Sequence, residues 1–395
     1  MSDVLQTPRA HTLAGLDGVR ALAALSIVAL HVGFHSGTYE SGPWGSLVAH
    51  LDSGVAIFFV LSGFLLYRPF ALAHLRRADA PSASRYMVRR FLRVFPAYWA
   101  ALLGCAYVLN RVALDTASQV AVHLSLTRIY FADYFFAGMP QVWTLAVEVS
   151  FYLALPALAL AIGTVSRDRD PRRTLTSELL ALAVLYALGL GTRIALLATH
   201  SGATISTKWL PAELDWFALG MALAVVSAGV AAGSVSASGV ARVVRSTAVW
   251  WGFALACLWL AAYATGTGAD VALFRKETTD LQDVAQQVLY GLFGFGVVAP
   301  IALGPPGVGL ARRVLSSRPA TVLGLASYGI FLWHVELLNW LVDRHQVQTW
   351  VPSARFASVF GIVAGLSAAL GLASYLLIEK PLGRWAARVT AARVK

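Results

Sequence analysis

Arg20-Ala-Leu-Ala-Ala-Leu-Ser-Ile-Val-Ala-Leu-His31 lies inside an apolar run over 15–34, and its reading sets that of the whole chain. As a helix, the segment separates Arg20 from His31 by about three turns. Both side chains then leave roughly one face, about 16 Å apart along the axis. The run is long enough to cross a bilayer. An ionisable group in such a helix is costly; it faces the bundle interior and marks a pathway or a reactive site. The plainer alternative is an arginine anchoring the inner end and a histidine satisfied in the core.

Apolar runs of this kind recur along all 395 residues. The composition is 58% hydrophobic and 13% charged, with a mean hydropathy of +0.66; a soluble domain carries about a quarter of its residues as charged ones. Ten spans are predicted, at roughly 15–34, 55–75, 95–113, 142–164, 177–197, 212–230, 248–265, 285–304, 320–341 and 355–378. The chain thus reads as an all-α polytopic membrane protein. Its first twelve residues are polar and lack the order of a signal peptide, so the first helix is expected to be retained.

With the N-terminus inside, the inner segments and adjoining helix ends hold 23 of the 31 Lys and Arg, and the outer ones hold 8. This positive-inside bias predicts that both termini are cytoplasmic. The formal charge of +11 is then mostly topological, which favours the lipid bilayer over nucleic acid as a partner. A single membrane unit over 1–395 is expected, with no appended soluble domain. The Gly/Ser/Val/Ala stretch 227–240 reads as a flexible helix end and loop. Cys105 and Cys257 fall within spans, form no metal or disulfide pattern, and read as small buried hydrophobes. Preference for Ala, Val and Arg over Ile and Lys hints at a GC-rich bacterial genome, hence a bacterial cytoplasmic membrane.

Chemistry-bearing residues gather at two depths. In Arg85-Tyr-Met-Val-Arg89-Arg90-Phe-Leu-Arg93-Val-Phe95-Pro96, Arg89 and Arg90 each lie about one helical turn from Arg93. An amphipathic helix would group them near the inner surface. Planar guanidinium forks suit phosphate oxygens, although lipid headgroups account for such clusters as well. Glu148 lies about two turns below the outer end of the fourth span, a position whose default reading is functional. His334 and Glu336, near the outer end of the ninth span, fit an interfacial belt as readily as a site. His31 and His35 are spaced i,i+4 and could share a metal, but no third ligand accompanies them, and no metal is expected. A long anionic cofactor could bind by its phosphates at the inner rim and pass a reactive end inward.

These strings in order resemble the membrane acyltransferase-3 family of acyl-CoA-dependent O-acyltransferases. The resemblance rests on Gly15-Leu-Asp17-Gly-Val-Arg20 with the Arg-x10-His spacing to His31, and on Phe58-Phe59-Val-Leu-Ser62-Gly63-Phe64. It continues through Arg89-Arg90-x-x-Arg93 with Phe95-Pro96-Ala97-Tyr98-Trp99, and Trp143-Thr-Leu with Glu148 and Phe151-Tyr152. Ser327-Tyr328 with Leu332-Trp333-His334, and Ile378-Glu379-Lys380-Pro381, complete it. The resemblance implies a ten-span bundle that moves an acyl group, often acetyl, from coenzyme A to a hydroxyl of a glycan, glycolipid or macrolide-like small molecule. It assigns acyl transfer and acyl-CoA handling to Arg20, His31, Arg89, Arg90 and Arg93, and carries the acid to Glu148. No cofactor is expected to be tightly bound; acyl-CoA, by default acetyl-CoA, is a co-substrate. Some relatives append an extracytoplasmic hydrolase-like domain, so any mechanism needing that domain in cis is placed in doubt.

The chemistry this suggests has neutral His31 taking the proton of an acceptor hydroxyl that attacks the thioester, with Glu148 orienting His31 and stabilising its imidazolium. The rival expectation is a transporter or flippase that uses the same intramembrane charges. That rival lacks a visible half-chain repeat.

Overall fold

The computed structural model describes residues 15–392 apart from 41, 132, 134–137, 169, 201–204, 265–278, 306–307 and 351–354. The described residues form helices and turns, with no strand. In chain order the helices are α1 (Leu16–Ser36), α2 (Gly42–Ala49), α3 (Gly54–Arg76), α4 (Ala83–Leu103), α5 (Ala117–Leu124), α6 (Trp143–Val165), α7 (Pro171–His200), α8 (Leu210–Ala231), α9 (Ala237–Val243), α10 (Thr247–Ala264), α11 (Asp280–Leu303), α12 (Leu310–Leu315), α13 (Arg318–His345), α14 (Arg355–Ser374) and α15 (Lys380–Ala392).

Among the described residues, nine helical stretches are long and apolar enough to cross a membrane. The number is ten if α9 and α10, which meet at a 52° bend, are one broken span. Counted with that broken span, the number equals the predicted ten; without it, it is one fewer. The polar first twelve residues lie outside the described residues.

Three boundaries differ from the sequence reading, each for a local reason. The arginine-bearing stretch and the third span are one helix, α4, which starts at Ala83 with Ser82 Oγ accepting from Arg85 N. Pro96 sits inside α4 without ending it; a proline removes one ladder hydrogen bond, which neighbouring helices in a bundle make tolerable. The end of 227–240, read as loop, opens α9, whose N-terminus is capped by Ser236 Oγ accepting from Gly239 N at 3.2 Å. The last span runs past 378, through a π-helical turn at Tyr375–Glu379, into α15.

In lipid, helices gain little from burying apolar surface against one another, and close packing of small residues takes over. α3 and α8 meet at Gly63 and Gly220. A Cβ on Gly63 would overlap Phe217 O, and one on Gly220 would overlap Val60 O. Backbone therefore lies on backbone here, beside a stack of Phe59 on Phe217 and Phe217 on Phe151 with ring centroids 4.5 and 4.1 Å apart. α1 packs against α3, α13 and α14, so the helix that decided the reading is central. Cys105 and Cys257 are buried free thiols.

Candidate functional site

α1 and α13 bring His31 to His334. The rings meet edge to face, with centroids 5.0 Å apart, and His334 Nε2 lies 3.3 Å from His31 Nδ1. His31 Nδ1 is also 2.9 Å from Ile27 O. A carbonyl only accepts, so His31 Nδ1 carries a proton, and in the neutral ring Nε2 holds the lone pair. No described residue is hydrogen-bonded to that Nε2. His334 is fully buried, and its Nδ1 donates to Phe331 O at 2.9 Å and Ile330 O at 3.1 Å. One turn further out, His35 Nε2 is 3.1 Å from Asn339 Oδ1. No group of three or more His, Cys, Asp or Glu among the described residues is placed to hold a metal.

Glu148 belongs to a different cluster. Ser62 Oγ of α3 donates to Glu148 Oε1, and Tyr152, one turn along α6, is bonded to the same carboxylate. Ser62 stands next to Gly63, where α3 lies against α8, and α3 also packs on α6. The expected pairing of Glu148 with His31 is not formed. Glu148 instead lies within electrostatic reach of Arg20 and Tyr86, whereas His31 responds to His35 and the Ile27 carbonyl.

The arginines complete this second cluster. Arg20 Nη1 donates to Asp17 Oδ1 at 3.1 Å, and the guanidinium senses Arg93, Glu148 and Tyr152. Arg90 lies over the Tyr152 ring, 5.8 Å from its centroid, a cation–π placement. Its Nε is buried with no hydrogen bond. Arg93 is half-buried and forms no hydrogen bond with a described residue. Arg89 turns to the exposed face of α4. Of the predicted triplet, then, two members point into the bundle and one points out.

Sequence reasoning left Glu379 unassigned. It ends the π-helical turn, is 5% exposed, and neither carboxylate oxygen has a hydrogen bond. Arg93 and Arg20 are the cations facing it. A π-helical turn shifts the register of the helix beyond it, so spacing alone could not aim this side chain; the motif Ile378-Glu379-Lys380-Pro381 was the available signal. Tyr328 joins the cluster from α13, with its hydroxyl donating to Val94 O at 3.0 Å.

An outer cap covers the far half of α13. Glu336 accepts from Met139 N at 2.7 Å and pairs with Arg111 Nε at 3.5 Å, while Arg111 Nη1 reaches Asp343 Oδ2 at 2.6 Å. Arg128, fully buried, donates to Gly138 O and, at 3.1 Å, to Met139 O. Burial lowers its guanidinium to about 10. Beside it His123 is 1% exposed with neither ring nitrogen hydrogen-bonded. Burial, and then the Arg128 charge, push its imidazole down to about 4. Glu336 is accounted for here as the residue that pins the loop onto α13.

The described residues thus set a bare imidazole nitrogen on α1 and incompletely hydrogen-bonded guanidinium groups on α4 within one helical bundle. The family model of the acyltransferase domain matches residues 13–376, and the chain belongs to that family. Peptidoglycan O-acetyltransferase OatA of Listeria monocytogenes is 24% identical over 388 residues, covering 93% of this chain and 55% of that protein. O-acetyltransferase OatA of Staphylococcus aureus is 25% identical over 389 residues, covering 94% and 57% respectively. Nodulation protein 10 of Rhizobium leguminosarum bv. viciae is 29% identical over 164 residues, or 36% of this chain and 43% of that one. The chain spans about half the length of the two OatA relatives. No solved structure matches it.

Proposed function

We propose that the protein is an O-acetyltransferase that carries an acetyl group from acetyl-CoA to a glycan hydroxyl, with His31 as the general base. The observation that carries the reading is the pair of inward arginines, Arg90 and Arg93, whose guanidinium donors are incompletely satisfied inside the bundle. Half-buried guanidinium groups with unsatisfied hydrogen-bond donors are costly to maintain, and phosphate oxygens are the acceptors their geometry suits. The glycan acceptor is supported by the Listeria monocytogenes relative, whose name specifies peptidoglycan O-acetylation.

In this reading Arg90, Arg93 and Arg20 hold the donor's phosphates and the pantetheine arm carries the thioester into the bundle. His31 Nε2 takes the proton from the acceptor hydroxyl as its oxygen attacks the thioester carbonyl. The tetrahedral intermediate collapses with cleavage of the C–S bond. The departing thiolate recovers the proton from the His31 imidazolium, giving the acetyl ester and free coenzyme A.

The test is purified protein in lipid nanodiscs with acetyl-CoA and peptidoglycan fragments, following free thiol and acetylated product together. Stoichiometric formation of both, abolished in His31→Gln, is the expected result. Wild-type protein that releases no thiol above a protein-free control sinks the donor assignment. Near-wild-type turnover in His31→Gln sinks the base.

A further inference from the structure

We infer that His334 is a positioning residue for His31, taking the place an acidic residue would hold in a carboxylate–histidine dyad; this rests on the proposed role of His31 as base. The geometry admits one proton arrangement. His334 Nδ1 faces two carbonyl oxygens, at 2.9 and 3.1 Å, and must donate to them. Its Nε2 is therefore the acceptor in the neutral ring. His31 Nδ1 faces Ile27 O at 2.9 Å and His334 Nε2 at 3.3 Å, so its single proton is shared between the two. A second proton on His334 Nε2 would set two N–H groups against each other, and the contact holds only while His334 is neutral.

The consequence appears during reaction. When His31 Nε2 accepts the hydroxyl proton, the ring becomes an imidazolium, and its Nδ1–H bond to His334 becomes charge-assisted and stronger. The gain exists in the transition state and not in the resting enzyme, which is the kind of interaction that raises turnover rather than binding. A neutral imidazole in this position avoids burying a permanent carboxylate charge among the apolar side chains of α1 and α13. Glu148, committed to Ser62 and Tyr152, is not available for this role. His334 cannot swing away, because its ring is completely buried and anchored to its own helix.

Two variants and one spectroscopic readout test the assignment. His334→Phe keeps a ring but removes the acceptor; His334→Gln restores an acceptor oxygen near the position of Nε2. The expected result is a kcat about 10- to 100-fold lower for His334→Phe, with most of the loss recovered in His334→Gln. The KM values for acetyl-CoA and acceptor stay within about twofold in both. Equal losses of kcat in the two variants, or a kcat untouched in His334→Phe, overturn the inference. Independently of activity, nitrogen-15 spectra of histidine-labelled resting protein are expected to show both rings protonated at Nδ1 and bare at Nε2. A His31 protonated at Nε2 overturns it as well. Absence of acetyl-CoA turnover in the wild type, with the spectra as expected, defeats the proposed donor reaction while leaving the ring pairing standing.

Discussion

The Tyr328 hydroxyl donates to Val94 O at 3.0 Å, which ties the helix carrying His334 to the helix carrying Arg90 and Arg93. Tyr328→Phe removes this tie and leaves the ring in place. Loss of one hydrogen bond corresponds to about 1 kcal/mol of stability. A modest drop in Tm is expected, together with a kcat/KM for acetyl-CoA about three- to tenfold lower. An unchanged kcat/KM would mean that the two clusters work independently of this contact.

Replacing Arg90 or Arg93 by lysine preserves charge and discards the planar fork of donors. The KM for acetyl-CoA is expected to rise about tenfold in each variant, with kcat little altered. Acetyl-pantetheine, which lacks the nucleotide phosphates, is the control substrate: its kinetics are expected to be the same in wild type and variants. Equal effects on both donors would count against phosphate recognition.

Glu148 is the shared acceptor for Ser62 and Tyr152 and a counter-charge for Arg20. Glu148→Ala leaves two hydroxyls and a cation uncompensated, a class of change that costs about 3–5 kcal/mol. Glu148→Gln keeps an acceptor oxygen and is expected to cost about 1–2 kcal/mol. Thermal unfolding in detergent compares them, and the order Ala worse than Gln is the outcome that checks the assignment.

His123 titrates near 6.5 when free and near about 4 in its buried place beside Arg128. Between those values the opened loop binds more protons than the closed one. Stability from the outer cap is therefore complete above the free value, declines as pH falls from 6.5 towards about 4, and stays level below that. The total loss is about 3 kcal/mol. Limited proteolysis of the segment around 117–124 is expected to accelerate with acidification in wild type, and His123→Phe is expected to remove that acceleration.

The spans and the Arg20–His31 relation were legible because helical periodicity needs only local sequence. What joins His31 to His334 is a crossing of two helices about 300 residues apart, and no spacing rule reports which turn meets which. Glu148 shows the same limit from the other side: its depth suggests a histidine partner, while the donors it accepts from, Ser62 and Tyr152, carry no charge to announce themselves. Arg89 and Arg93 sit one turn apart in sequence, yet one is exposed and the other half-buried, a split that spacing does not report. Glu379 is aimed by a π-helical turn that an ideal 3.6-residue period does not anticipate.

The contact at Gly63 and Gly220 makes α3 and α8 a single beam. Sliding either along the other would bring a residue that carries a Cβ against a carbonyl its glycine now leaves clear. Ser62, which holds Glu148, is mounted on that beam next to the joint. A machine that rocks two halves around a bound solute would need such a joint to yield. Here the joint fixes the height of Ser62 on the bundle, and through it the depth at which the Glu148 carboxylate is held.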